Sequence, residues 1–231
     1  MVFSSLFFLY AFLPLNLICY ALAKNLHAKN MVMMVFSLIF YAWGEPVYVL
    51  LLIGMALADW LLALFIGRQA PKSSAAKWGL FATCCVNLGL LAIFKYTGFV
   101  LSNLRAVTGF PQTIPQIVLP IGISFYTFQL LSYVVDVYRG EVQAQKRFSI
   151  LLLYVSLFHQ CIAGPIVRYQ DVENELFYRT TNLKELYAGI SRFTIGLAKK
   201  AVLANACGAI ADSLLISDAA AAGADAAAQL A

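Results

Sequence analysis

Charge is scarce in this chain. Only 12% of its 231 residues are Asp, Glu, Lys or Arg, where an ordinary soluble domain carries roughly a quarter. With 62% of residues hydrophobic and a mean hydropathy of +0.80, that shortage excludes a water-soluble globule. Metal-ligating side chains are sparse too. There are two histidines, and the five cysteines, Cys19, Cys84, Cys85, Cys161 and Cys207, lie inside apolar blocks with no repeated spacing. Neither a disulfide framework nor a zinc site is indicated, and the ordinary role of such cysteines is that of small buried hydrophobes. No basic residue precedes the first apolar block, residues 3–23, which is longer than a signal core, so it reads as a retained helix and not as a removable leader. No internal repeat stands out. The net charge of +5 is modest, short cytoplasmic loops account for it, and no nucleic-acid partner is called for.

What the chain has instead is a series of apolar blocks near the length of about 20 residues that a helix needs to cross a hydrocarbon core of about 30 Å. The second block, residues 31–43, is short, and Gly44-Glu45-Pro46 interrupts before a full-length block at 47–67. A turn is expected there, because Gly and Pro break helices and a carboxylate at mid-membrane is expensive. The short block reaches only about 20 Å at ~1.5 Å per residue, so its helix must extend past the apolar core or cross a thinned bilayer. A fourth block starts at Trp78 and runs to Leu104 if Lys95 snorkels to an interface, and a polar linker with Pro111 and Pro115 follows. The fifth, 117–138, ends at Arg139-Gly140 and a basic stretch through Lys146 and Arg147. The sixth, 149–167, carries His159 and Gln160 and ends in Gly164-Pro165, and the seventh, 186–216, is amphipathic. The Ala-rich end, 219–231, has helical propensity but no capping signal, and reads as cut. The expected fold class is all-α: a polytopic membrane protein of about 6–7 transmembrane or re-entrant helices.

Orientation follows from Lys and Arg in short loops. Lys24 and Lys29, then Arg68, Lys72 and Lys77, then Arg139, Lys146 and Arg147 fall on one side, against Lys95 and Arg105 on the other. This places the N-terminus outside and the first, third and fifth turns in the cytoplasm. A full crossing by the sixth block would put Arg168, Arg179 and Lys184 outside, against the rule, so that block is expected to be re-entrant or broken. A break at Gly164-Pro165 would mark an internal pocket.

Gly122, Tyr126, Gln129, Tyr133 and Asp136 recur at spacings of four, three, four and three, so they share one helical face. That face cannot point at lipid. It either carries interhelical hydrogen bonds that hold the bundle together or lines a substrate path. His159 could serve as a general base, although no second His or Asp stands at a useful spacing, and a structural hydrogen bond is the commoner role of a lone intramembrane histidine. His27 reads as a solvated loop residue. Arg192 and Lys199 share a face that could hold an anionic group or pair with lipid headgroups. Asp59 has no partner that the sequence can name.

Three stretches read together resemble the bacterial alginate O-acetylation branch of the membrane-bound O-acyltransferase family. They are Phe3-Ser4-Ser5 with Phe40-Tyr41-Ala42-Trp43-Gly44-Glu45-Pro46, then LPIGISFYTFQLLSYVVDVYRG from Leu119 to Gly140, and FHQCIAGPIVRYQD from Phe158 to Asp171. The match covers most of residues 1–216. It implies a ring of tilted helices around a thinned centre, across which an acyl group passes from a cytoplasmic thioester donor to an acceptor outside. The donor would be acetyl-CoA or another acyl thioester, with no bound cofactor and no metal. Taken with the polar face, it makes Tyr126, Gln129, Tyr133, Asp136, Gln160 and Arg168 the candidate substrate path. The family's catalytic histidine lies in the second half of a much longer chain, and no residue here matches its motif, which leaves His159 as the local candidate. Residues 1–231 are accordingly expected to be the N-terminal part of one such membrane domain, with the C-terminal half missing and no complete active site. The implied setting is the bacterial inner membrane, with the lipid bilayer, the acyl donor and periplasmic or extracellular polysaccharide-acetylation proteins as partners. Alginate is the leading acceptor, and D-alanyl transfer to teichoic acid belongs to a more distant relative. Two other classes stay open: a transporter or flippase module whose polar face binds a solute, and a non-catalytic membrane partner of a cell-envelope modification system.

Overall fold

The computed structural model describes residues 3, 5–108, 110, 117–160, 165–180 and 182–214. The linker prolines Pro111 and Pro115, together with Cys161, Gly164 and the Ala-rich end, lie outside them. All regular structure among the described residues is helical. Four helices are long and apolar enough to cross a membrane, Leu26–Gly44, Tyr48–Gly67, Ser74–Thr108 and Leu183–Leu214, and a shorter apolar helix spans Phe8–Leu22. The chain is an all-α multi-pass membrane protein.

Two compact units can be distinguished, one of Phe12–Arg179 and the other of Val2–Ala11 with Thr180–Ala231. The first holds α1 (Leu13–Leu22), α2 (Leu26–Gly44), α3 (Tyr48–Gly67), α4 (Ser74–Thr108), α5 (Ile123–Arg139), α6 (Phe148–Ser156) and α7 (Tyr169–Phe177). Here α3 packs on α4 and α5, α4 packs on α5, and α2 packs on α6. The apolar core, including Leu52, Met55, Leu130 and Leu151, sits between these helices. In the second unit α8 (Leu183–Ala198) runs on through a π-helical stretch, Lys199–Ala204, to Leu214. Asn182 and Glu185 cap its start reciprocally: Asn182 Oδ1 accepts from Glu185 N at 2.8 Å and Glu185 Oε2 accepts from Asn182 N at 3.2 Å. None of the residues of α8 is buried.

The helix lengths resolve two sequence expectations. The short second block does extend past its apolar core: α2 has 19 residues, about 28 Å of helix, enough to span the bilayer. Gly44-Glu45-Pro46 is a turn, and the Glu45 carboxylate is not left in lipid, because its Oε2 accepts from Ile121 N at 2.9 Å. Beside it Tyr41 OH donates to Ile121 O at 2.9 Å and Tyr48 OH donates to Val118 O at 3.1 Å. The turn between α2 and α3 and the segment entering α5 therefore lie at one end of the bundle.

The sixth block does not cross. Its helix, α6, has only nine residues, about 13 Å against a core of about 30 Å. It ends at Ser156, earlier than Gly164-Pro165, and a turn follows at Phe158–Gln160. That turn lies beside the middle of α2, where Phe158 N donates to Ser37 Oγ at 3.3 Å. Rings of Phe12, Phe40 and Phe158 close over it at centroid distances of 5.4–5.7 Å. Backbone outside a helix survives at membrane depth only when its polar groups are paired and covered. Here Gln160 Nε2 donates to Tyr154 O and Tyr154 OH donates to Val167 O, each at 2.7 Å. The chain then returns to the end it left, because Arg179 Nε donates to Tyr20 OH at 2.7 Å and Arg179 Nη2 donates to Asn30 Oδ1 at 3.0 Å, at the turn between α1 and α2. One end of the unit thus gathers the three turns rich in Lys and Arg together with Arg168 and Arg179.

Candidate functional site

The polar face of α5 is buried along its length. Tyr126 and Tyr133 are fully covered, and Gln129 and Asp136 nearly so. The face is not one continuous passage, however, because its members are taken up separately. Tyr126 stacks edge-on near Tyr41, with centroids 6.4 Å apart, at the Glu45 end. Tyr133 faces the opposite end and accepts from Gln145 N at 2.8 Å.

Gln145 joins four elements. Its carbonyl accepts from Trp60 Nε1 of α3 at 2.7 Å, its Nε2 donates to Tyr169 OH of α7 at 2.9 Å, and its Oε1 accepts from Arg147 N at 3.0 Å. With Tyr133 of α5 this satisfies every polar group of a buried residue, which is what a loop needs in order to sit in a low-dielectric interior. Tyr169 packs edge-on against Tyr133 and Tyr154 at 5.0 and 5.3 Å, and burial pushes its phenol above the ordinary range.

Beside this hub lies a charge cluster. Asp136 is 1% exposed and occupies the last turn of α5, where the helix dipole disfavours a carboxylate. Arg168 compensates it: Nη2 donates to Asp136 Oδ1 and, at 3.1 Å, to Glu141 Oε2. The two carboxylates hold the guanidinium pKa above its usual value, with Asp136 the larger influence. Gly140 makes the convergence possible. Its φ of +78° lets the chain reverse at once, with Glu141 N donating to Asp136 O at 3.0 Å, so Glu141 lies next to the helix end it has just left. Arg168 also starts α7, its N–H donating to Asp171 Oδ2 at 3.3 Å. The cluster therefore pins the returning arm of the sixth block to the end of α5. Chemically it is a positioning device, since arginine is no base and Asp136 Oδ1 is occupied. Asp136 Oδ2, Gln129 Oε1 and Thr127 Oγ1 remain buried without a partner among the described residues.

The remaining candidates are placed as follows. His159 stacks on Phe158 with centroids 3.8 Å apart and has no hydrogen-bond partner among the described residues, so no carboxylate orients it for proton transfer. Gln160 is spent on the Tyr154 carbonyl. Asp59, unassigned in the sequence, accepts from Asn87 Nδ2 at both oxygens, each at 2.8 Å, while the same amide reaches Thr83 O at 3.0 Å. The structure thus brings together Tyr133, Asp136 and Arg168 and leaves His159, Gln160 and Tyr126 elsewhere.

Over 216 residues, 92% of its length, the chain is 36% identical to a probable alginate O-acetylase of Pseudomonas aeruginosa, and it covers 41% of that protein. The corresponding protein of Pseudomonas putida is also 36% identical, with 44% of it covered. The chain is thus similar in sequence to the alginate O-acetylases over nearly all of its length. A peptidoglycan O-acetyltransferase of Helicobacter pylori is 30% identical over 243 residues, 92% of this chain and 46% of that protein. The chain spans less than half the length of these relatives. No family model matches it, and no solved structure does.

This relationship bears out the resemblance carried by the FYAWGEP, LPIGISFYTFQLLSYVVDVYRG and FHQCIAGPIVRYQD stretches. The FYAWGEP stretch lies at the α2–α3 turn and the second stretch enters and forms α5, while the described parts of the third, Phe158–Gln160 and Pro165–Asp171, lie in the turn after α6 and at the start of α7; Phe3 and Ser5 belong to the second unit. Sequence reasoning missed Gln145, Glu141, Tyr154 and Tyr169. The available signal was weak: a Gln just before Lys146-Arg147 looks like an ordinary solvated loop.

Proposed function

We propose that this chain forms part of a membrane-bound O-acyltransferase that acetylates a polysaccharide on the outer side of a bacterial inner membrane. The carrying observation is its similarity, over 92% of its length, to proteins named alginate O-acetylase and peptidoglycan O-acetyltransferase. In this reading the N-terminus lies outside, the basic turns face the cytoplasm, and the acyl group comes from acetyl-CoA or another acyl thioester on that side. The acceptor is alginate or another exported polysaccharide, presented with the help of periplasmic acetylation proteins. A hydroxyl attacking a thioester needs a base and a stabiliser for the oxyanion. We assign neither role within residues 1–231, because His159 lacks an orienting partner among the described residues. Gln129, Tyr133 and Asp136, with Arg168, serve instead as the wall of a path confined to the Arg168 end of α5, away from Tyr126.

The test is acetylation of the exported polymer by cells whose only copy of the protein containing this chain carries Gln129→Ala or Asp136→Ala. Acetyl content should fall while membrane abundance holds, with Gln129→Ala the milder change since it removes one amide. Normal acetyl content in both variants would refute the path, and a fall matched by loss of protein would make these residues purely structural. The 231-residue chain alone, given acetyl-CoA and polymer, should transfer nothing; transfer that His159→Ala abolishes would overturn the assignment.

A further inference from the structure

Between the α3–α4 turn and the α5–α6 turn lies a groove of about 790 Å³ that the O-acetylation reading does not use. Its floor is fixed by close contacts. Gly67 lies so near Ala144 that a Cβ on it would come within 2.8 Å of the alanine methyl, and the Trp60 indole donates across to Gln145 O at 2.7 Å. The two halves of the lining differ in character. Toward the membrane it consists of Trp60 and Leu64, which belong to the spanning helix α3, with Val137 and Val142 opposite. Toward the aqueous end it carries Arg68, Lys72 and Lys146, all exposed, and none of its lining residues is acidic. Lys72 has a φ of 59°, the one described non-glycine residue in the left-handed region, an arrangement that costs energy and persists only where its surroundings impose it. A wall continuous with a membrane-spanning helix that leads to three cations, with no internal carboxylate to neutralise them, matches a molecule with an acyl chain and a phosphate.

We propose that this groove is a binding site for an anionic phospholipid, with the headgroup phosphate among Arg68, Lys72 and Lys146 and an acyl chain along Trp60 and Leu64. Anionic lipids are attracted by about fivefold for each nearby cation, so the three together give a preference over a zwitterionic lipid on the order of a hundredfold. The site stands whether or not the protein transfers acyl groups.

Trp60 reports directly on occupancy. In a Trp43→Phe/Trp78→Phe background of the 231-residue chain, reconstituted in phosphatidylcholine vesicles, indole fluorescence is titrated with phosphatidylglycerol brominated in its acyl chains, or with equally brominated phosphatidylcholine. Phosphatidylglycerol should quench Trp60 at far lower mole fraction, and Arg68→Gln/Lys72→Gln/Lys146→Gln should bring the two lipids to parity. A control carrying Lys95→Gln/Arg105→Gln, outside the groove, should keep the preference. Equal quenching by both lipids in the parent protein, or a preference that survives the triple substitution, overturns the proposal. Soluble coenzyme A, added at matched ionic strength, separates the two sources of phosphate: unchanged quenching supports a lipid site, and loss of the phosphatidylglycerol preference overturns it in favour of a soluble phosphate ligand.

Discussion

Replacing Asn87 with leucine removes the partner of a carboxylate buried between α3 and α4. Asp59, Thr83 and Asn87 are all fully covered, and the Asn87 amide reaches both Asp59 oxygens at 2.8 Å and Thr83 O at 3.0 Å. Two N–H protons serve three acceptors, so the substitution deletes about two hydrogen bonds' worth of stabilisation. Within membranes such bonds average about 0.6 kcal/mol and reach about 1.7 kcal/mol, which gives a loss of ~1–3 kcal/mol. Leucine is close to asparagine in size and leaves no large cavity. Asp59→Asn keeps an amide-to-acceptor contact and should lose less than half as much. The double variant Asp59→Leu/Asn87→Leu removes both polar groups and should recover most of the loss, because apolar replacement of a whole buried pair is often near neutral. Reversible unfolding in mixed micelles of the parent, Asp59→Leu, Asn87→Leu and the double variant, read as a double-mutant cycle, should return a coupling of about 1–3 kcal/mol. An Asn87→Leu protein as stable as the parent, or a double variant whose loss equals the sum of the singles, would refute the pairing.

Gly67→Ala forces a methyl against the Ala144 side chain at 2.8 Å, and both atoms hang directly from backbone, so the two turns must separate; the expected loss is about 1–3 kcal/mol, seen as a lower melting temperature, and Gly67→Ala/Ala144→Gly should restore part of it. Re-entry of the sixth block predicts a labelling pattern: in a cysteine-less background, Ser73→Cys and Glu175→Cys should both resist an impermeant thiol reagent on intact cells, whereas Leu119→Cys should react. Labelling of Glu175→Cys together with Leu119→Cys would mean that the sixth block crosses after all.

The parts legible in the sequence are those written in local periodicity. The four-three spacing defined a face that had to be covered, and from Tyr126 to Asp136 it is, whereas Gly122, with a φ of +77°, stands just ahead of the helix and is only partly covered. Gly44-Glu45-Pro46 reads as a turn because Gly and Pro act on their own backbone. The excess of Lys and Arg flagged the sixth block as unable to cross, although the break was expected at Gly164-Pro165. The helix in fact ends at Ser156, inside a run with no Gly or Pro, because Ser37, Phe12 and Phe40 hold the turn from outside it. That is tertiary context overriding local propensity. Asp59 and Asn87 are 28 residues apart, Gln145 and Tyr169 are 24 apart, and Asp136 and Arg168 are 32 apart; no periodicity connects such pairs. The polar face of α5 likewise gives no hint that its members would be divided between the two ends of the bundle.

Gln145 also sets an order of assembly during synthesis. The groove beside it needs nothing beyond Lys146, and Trp60 and Tyr133 are already made when Gln145 leaves the ribosome. Its side-chain amide must wait for Tyr169, 24 residues later, which at about 5–20 residues per second is roughly one to five seconds. Arg168, the counter-charge of Asp136, arrives one residue earlier. Through that interval the inserted helices carry a half-paired amide and an uncompensated acid at one end. The arm that folds back through the sixth block closes both, so a ribosomal pause before residue 168 would prolong the interval in which a quality-control protease could recognise the unfinished protein.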